Sequence, residues 1–292
     1  MIKKISVFAF VLVMIFGSGV AMAQKSKYKI GLIDLMLLKR QKLGAIPLSA
    51  ELGADGLEVD MGGLGDRPTF ESQLSNDSTR QTFLRTAKEN NVEIFCLAMT
   101  GFYAQSFCER ESYLKPIEDC IATMKAMNVK LGFLPLGVRC DMKLNPSVRP
   151  AVVSRLKEIG ALAQKAGVTI AVETSLSATE EVAFLKEIGS PAIKISFNFS
   201  NPLKEGRDLY KEIEILGKKN IALIHATNKD SVWLQNDPQI DMYKAKKTLD
   251  KIGYTGWLAI ERSRDATQAR NVKFNYGANV AYLKKVFQSE GE

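Results

Sequence analysis

The chain has 292 residues, a formal net charge of +8 and 25% charged residues. Its lysines and arginines are scattered, mostly at helical spacing, with no basic run interleaved with aromatics, so nucleic-acid binding is not supported. The length allows one large α/β domain or two small ones.

The first residues point to export. MIKK carries two positive charges, ISVFAFVLVMIF is an apolar run of twelve, and GSGVAMAQ ends in a small-x-small pattern. This is the pattern of a secretory signal, with cleavage expected between Ala23 and Gln24. A retained membrane anchor needs about 20 apolar residues, more than the run supplies. The expectation is a periplasmic or secreted protein: a signal peptide over residues 1–23, a mature domain over 24–292, and no stable membrane association after cleavage. Cys96, Cys108, Cys120 and Cys140 lack paired metal spacing and read mainly as buried thiols. Export would permit one disulfide, with the pairing left open.

From residue 28 onward, short apolar or β-branched runs recur. They are KIGLIDLML from Lys29, DGLEVD from Asp55, VEIFCLAM from Val92, VKLGFLPLG from Val129, VTIAVET from Val168, IKISFNF from Ile193, IALIHAT from Ile221 and WLAIERS from Trp257. Each has strand length and is bounded by turn residues. Helical spacing fills the intervals 78–89, 112–127, 147–166, 179–188, 206–218, 241–252 and 279–287. Several of these close on helix-stop patterns: KAGV, EIGSP, KIGYTG and, with asparagine, KENNV. Eight strand candidates alternating with helices predict a parallel sheet, and the chain length matches a single closed (β/α)₈ TIM barrel. The open doubly wound alternative lacks a glycine-rich phosphate loop after its first strand. The longest irregular pieces, 61–76, 101–111 and 229–239, all follow strands, on the face where barrel enzymes carry their sites.

Side chains alternate along a strand between barrel interior and helix layer. Ile170, Val172, Ile195, Phe197, Ala222, Ile224, Leu258 and Ile260 are expected to pack outward. Four consecutive strands then each deliver one polar group into the same mouth: Glu173, Asn198, His225 and Glu261. His225 is the only histidine in the chain. Two carboxylates, an imidazole and an amide oxygen form a plausible divalent-metal sphere, and glutamate and histidine also suit proton transfer.

These residues carry a resemblance. AVET, FNFSNP, IHATNKD and GWLAIER are similar, in order and spacing, to the fifth to eighth strand ends of the xylose-isomerase-like barrel superfamily, which includes sugar isomerases, ketose epimerases and family-2 AP endonucleases. GLEVD resembles its second-strand motif, where Glu58 would approach substrate. The resemblance covers the mature chain and implies a metal held by Glu173, Asn198, His225 and Glu261. That metal would be Mn, Mg, Co or Zn. One departure is evident. The superfamily's Asp-x-Gly-Asn/His turn reads here Asn198-Phe199-Ser200-Asn201, so one ligand carboxylate has become an amide and metal affinity should fall. The export signal, the single histidine and this lost carboxylate together disfavour a multi-zinc nuclease.

The expected function is metal-assisted proton transfer beside a sugar carbonyl through an enediolate, with Glu173, Glu261 and His225 catalytic. A keto-sugar lyase or hydratase, or a non-catalytic saccharide-binding barrel, are the alternatives. Substrate-binding candidates are Glu58, Asn201, Lys229, Trp233 and Arg264. Lys229 resembles a seventh-strand lysine of the superfamily but suits a solvated loop equally. Trp233 either packs its loop or stacks on a sugar, and parity sends Arg262 to the helix layer and Arg264 to the site. Phe102 and Tyr103 are further loop candidates, with Arg139 and Asp141 weaker ones. The partner is a small carbohydrate, and a homo-oligomer stays open.

Overall fold

A computed structural model describes residues 27–137 and 139–289. The expected export signal, residues 1–23, lies outside the described residues. Eight parallel strands close into one barrel in the order β1 to β8. They are β1 (Tyr28–Ile33), β2 (Gly56–Asp60), β3 (Glu93–Ala98), β4 (Leu131–Pro135), β5 (Thr169–Glu173), β6 (Ile193–Asn198), β7 (Ile221–His225) and β8 (Gly256–Ile260). β1 pairs with β8 over five residues, Tyr28 to Leu32 against Gly256 to Ile260, which closes the ring.

The helices are α1 (Asp34–Leu37), α2 (Ala45–Glu51), α3 (Asp77–Glu89), α4 (Leu114–Ala126), α5 (Arg149–Ala166), α6 (Ala178–Ile188), α7 (Ser200–Lys204), α8 (Leu209–Asn220), α9 (Met242–Ile252) and α10 (Val272–Phe287). Their ends follow the local chemistry. The stop patterns place Gly167, Gly189 and Gly253 in the left-handed region at the ends of α5, α6 and α9, where a Cβ would be strained. After α3 the same job falls to Asn91, at φ 53°. A reciprocal Ser177–Glu180 capping box starts α6.

The largest departures from the sequence reading lie at the first strand, its crossover and the last helix. The first strand stops at Ile33, and DLML forms the helical turn α1, because the Asp34 carboxylate accepts the backbone N–H groups of Gln41 and Asp60 and folds the chain back. α2, a single short helix, makes the crossover to β2. α10 begins seven residues before its expected start, since the Asn271 side chain caps the N–H of Phe274.

Outside the strands, Ile170, Val172, Ile195, Phe197, Ile224, Leu258 and Ile260 join the core between sheet and helices. Inside, Phe133, Ala171, Leu223 and Ala259 form a separate apolar layer. Ala222 departs from its expected outward position and packs against this inner layer. The register explains it. Ile195 pairs with Ile221 and Ser196 with Leu223, so Ala222 is the extra residue of a bulge. A second bulge sets both Phe95 and Cys96 inward, opposite Glu58. At the N-terminal end of the barrel, Phe95 stacks on Trp257 with ring centroids 4.0 Å apart. Gly31 and Gly56 leave room for that stack, because a Cβ at either would lie 2.5 Å from one of the rings.

Candidate functional site

At the opposite end, the C-terminal residues of β2, β5, β6 and β7, with the residue just after β8, converge on one mouth. β6 and β7 are in register at their ends, with Asn198 beside His225. The His225 ring is almost fully buried at 1% exposure and stands edge-on to Phe133 at 4.8 Å. Its Nε2 faces Glu58 Oε2 at 3.6 Å and its Nδ1 faces Glu173 Oε2 at 3.4 Å. Neither approach is aligned as a hydrogen bond, so all four atoms are buried polar atoms without a hydrogen-bond partner. Orphaned buried polar atoms are rare in folded proteins, and each calls for an explanation. Burial alone would hold the imidazole neutral. The carboxylates of Glu173 and Glu58 outweigh it and raise the His225 pKa to about 10, so the ring is an imidazolium at neutral pH.

Glu173 reaches solvent with 14% of its side chain. Asn201 steers it, donating from Nδ2 to Glu173 Oε1 at 3.5 Å and to the Thr174 carbonyl at 3.0 Å. Glu261 accepts from Asn198 Nδ2 at 3.2 Å and has the Arg262 guanidinium 3.7 Å from its Oε1. Burial raises the Glu261 pKa, His225 and Arg262 oppose the rise, and Glu173 adds to it. The two carboxylates at the mouth, each only partly reached by solvent, sit in unequal surroundings, the condition for dividing acid and base roles between them.

A cavity of about 300 Å³ opens beside Glu173. Tyr103, Leu136, Cys140, Asp141, Ser175, Asn201 and Lys204 line it. The Asp141 carboxylate accepts from Ser175 Oγ at 2.5 Å and from the Lys143 N–H at 2.9 Å, which fixes one wall. A larger cavity of about 570 Å³ lies at the other end of the barrel, among Lys130, Lys194, Lys219 and Trp257. It contains none of the orphaned atoms, so volume does not choose the site.

Thus Glu58, Glu173, Asn198, Asn201, His225 and Glu261 come together. Other candidates are held elsewhere. Arg264 is taken up by Asp230, which accepts from its Nε at 3.0 Å and pairs with its Nη2. Arg262 instead stands beside Glu261. Strand alternation ends with β8 at Ile260, and Ser263 at φ 70° turns the chain, so parity no longer applies there. Trp233 donates from Nε1 to Asn275 Oδ1 at 2.9 Å and packs on Phe274, which ties its loop to α10. Lys229 is exposed. Phe102 is buried between Phe70 and Phe107, and Arg139 pairs with Glu109. Tyr103 borders the cavity. Ser175, just after β5, and Lys204, at the end of α7, carried no distinctive sequence signal.

The expected cation sphere does not fit these residues. Asn198 Oδ1 already accepts the Ser200 N–H at 3.0 Å, and its amide nitrogen, a donor, faces Glu261. Among the described residues no three His, Cys, Asp or Glu side chains stand close enough to enclose a metal ion.

Two buried acids behind the site make stability pH-dependent. Burial raises Asp34 to about 7 against the N–H groups of Gln41 and Asp60, and raises Glu181 to about 8 against its bond from Thr174. Both folded-state values lie above the unfolded ones, so the folded chain binds these protons more tightly. That contribution is complete below about pH 4 and is lost as pH rises through 7 to 8. His225, also raised, adds a loss in the same direction from about pH 6.5 to 10. Urea unfolding should show stability falling by a few kcal/mol, to order of magnitude, between pH 5 and 8. A flat or rising profile would show that neither acid is held protonated.

The sequence matches the family model described as the xylose isomerase-like TIM barrel over residues 46–286. The chain belongs to that family. This xylose isomerase-like barrel is 26% identical over 166 residues to a 2-epi-5-epi-valiolone 7-phosphate 2-epimerase of Actinoplanes sp. (strain ATCC 31044 / CBS 674.73 / SE50/110), a match spanning 56% of this chain and 59% of that protein. Its fold is shared with D-psicose 3-epimerase crystallised in the presence of D-fructose, at TM-score 0.71 and 14% identity over 89% of this chain and all of that one. It is shared also with 3-keto-D-glucoside 4-epimerase of E. coli in its apo form, at TM-score 0.69 and 17% identity over 88% of this chain and 99% of that one.

Proposed function

We propose that this barrel is an exported enzyme of the sugar isomerase and epimerase type, working in the periplasm or outside the cell. On this reading it moves a proton at the carbon beside a sugar carbonyl. The observation that carries the reading is that Glu173 and Glu261 reach one mouth beside buried His225, whose ring nitrogens, with the facing oxygens of Glu58 and Glu173, lack hydrogen-bond partners.

The chemistry rests on the chain's own groups. Glu173, steered by Asn201, takes the proton from the carbon next to the carbonyl. The electron pair moves into an enediolate, whose negative oxygen is balanced by the Arg262 guanidinium beside Glu261. Glu261, the carboxyl whose pKa is raised, returns a proton to the same carbon from the other face, which inverts it. Exchange with solvent then resets both carboxyls. His225 touches Glu173 and Glu58 and acts as a positioning residue, holding the base in place and compensating its charge. The relative that shares 26% identity is a 2-epimerase by its name, and inversion at a carbinol carbon is the same class of event. Asn198 favours a second reading, elimination from a keto-sugar. That reaction needs the same base and acid but no cation bridging two substrate oxygens.

Incubation with free sugars and keto-sugars in deuterated water tests the proposal. Label at a single carbon identifies both substrate and position of attack. Release of a fragment or of water supports elimination, and silence across the panel with ligand binding retained supports a saccharide-binding barrel.

The Asn198 substitution has its own test. In Asn198→Asp the Ser200 N–H keeps its acceptor, but a second carboxylate oxygen replaces the donor 3.2 Å from Glu261. Like charges at that distance call for a proton or a cation between them. Added Mn²⁺ should raise the thermal midpoint of Asn198→Asp by several degrees and that of the parent by little. An equal rise in the parent would overturn the assignment of Asn198 as a donor.

A further inference from the structure

The loops that follow β3 and β4 meet beside the cavity, and they bring two thiols together. Cys108 and Cys140, 32 residues apart in sequence, are both buried, at 6% and 0% exposure. The backbone N–H of Cys108 donates to Cys140 Sγ at 2.8 Å. Both sulfurs contact one hydroxyl: Ser106 Oγ lies 3.4 Å from Cys108 Sγ and 3.5 Å from Cys140 Sγ. The Cys108 thiol also points at the Arg139 carbonyl at 3.7 Å, one residue before Cys140. Outside this knot an Arg139–Glu109 ion pair joins the same two segments at 2.9 Å. Cys140, with Asp141 beside it, forms part of the wall of the cavity next to Glu173.

The geometry points to a modification site: Cys108 and Cys140 form a disulfide that staples the β3 and β4 loops and fixes that wall. The remaining two cysteines do not compete for it. Cys96 lies in β3 within the inner layer and Cys120 lies in α4 within the outer core. Two thiols held against one small hydroxyl are close enough for a modest side-chain rotation to join them. Burial first, then the neighbouring Cys108 thiol, raises the Cys140 pKa to about 11, in keeping with the closeness of the pair.

The oxidant is a small-molecule or protein disulfide, available in an exported compartment. The Cys108 thiolate, the less deeply buried, attacks that disulfide and expels one thiolate, leaving a mixed disulfide. Cys140 then attacks the Cys108 sulfur and expels the second. The pair is oxidised by two electrons, one disulfide is reduced to two thiols, and the two protons end on those leaving thiols. A bridge across 32 residues should shift the folded-to-unfolded ratio by roughly two to three orders of magnitude.

The test uses the purified protein equilibrated with oxidised glutathione under native conditions, whether or not it turns over a sugar, so its outcome is separate from the fate of the proton-transfer reading. The expected result is two titratable thiols after denaturation and a non-reducing peptide map that links the Cys108 and Cys140 peptides. Reduction should then lower the unfolding midpoint by several degrees, and the same treatment of Cys108→Ala/Cys140→Ala should not. Four free thiols, glutathione adducts on both cysteines, or a bridge through Cys96 or Cys120 would overturn the pairing. An equal drop in the double variant would overturn the staple.

Discussion

Glu173→Gln and Glu261→Gln each lower epimerisation of a sugar substrate by roughly 10³-fold, with the fold kept. Both changes preserve shape and remove only the capacity to carry a proton. Glu173 keeps an acceptor for Asn201, and Glu261 keeps one for Asn198, so the hydrogen bonds at 3.5 and 3.2 Å survive. The two variants should differ in kind. If Glu173 is the base, Glu173→Gln abolishes wash-in of deuterium altogether. If Glu261 delivers the proton from the other face, Glu261→Gln retains some exchange at the labelled carbon but loses inversion. Exchange and product formation are read in one NMR experiment, and circular dichroism confirms the fold. Unchanged exchange in both variants would remove these carboxylates from the mechanism.

His225→Leu destabilises the protein by about 3–5 kcal/mol, the cost of leaving a buried charge without its partner. Glu58 is the carboxyl left behind, at 1% exposure and with one oxygen already lacking a hydrogen bond. Glu58→Leu strands the imidazolium less severely, because Glu173 remains on its other side. The double variant Glu58→Leu/His225→Leu should recover much of the loss, since two apolar side chains replace an ion pair in a buried setting. Urea unfolding of the three variants closes the cycle. A His225→Leu protein as stable as the parent, or a double variant with purely additive losses, would show that the pair is not charged in the folded state. Recovery of stability without recovery of exchange would separate the positioning role of His225 from its contribution to the fold.

The eight strands were legible because each is a short apolar run ended by glycine, asparagine or a polar turn, and burial on both faces demands that composition. Period-two alternation was enough to aim Glu173, Asn198 and His225 at one mouth, since each ends its own strand. The left-handed ends of α5, α6 and α9 could be read from their glycines, because no other residue adopts that backbone as cheaply.

What needed the tertiary structure is whatever depends on a neighbour distant in sequence. The bulges at Phe95 and Ala222 arise from the registers of β2 against β3 and β6 against β7, which a single strand does not encode. Arg262 rather than Arg264 stands beside Glu261, because Asp230, from another loop, captures Arg264 and because alternation stops where β8 stops. Trp233 was undecided between sugar and loop until α10 supplied its hydrogen-bond partner. The amide of Asn198 marked a missing charge in the sequence, but only the fold shows its oxygen turned to Ser200 and its nitrogen to Glu261. Sequence determined the barrel and which groups reach its mouth, because local periodicity sets side-chain direction. The fold decided which of those groups touch, because hydrogen-bond partners and cysteine neighbours come from loops brought together only when the barrel closes.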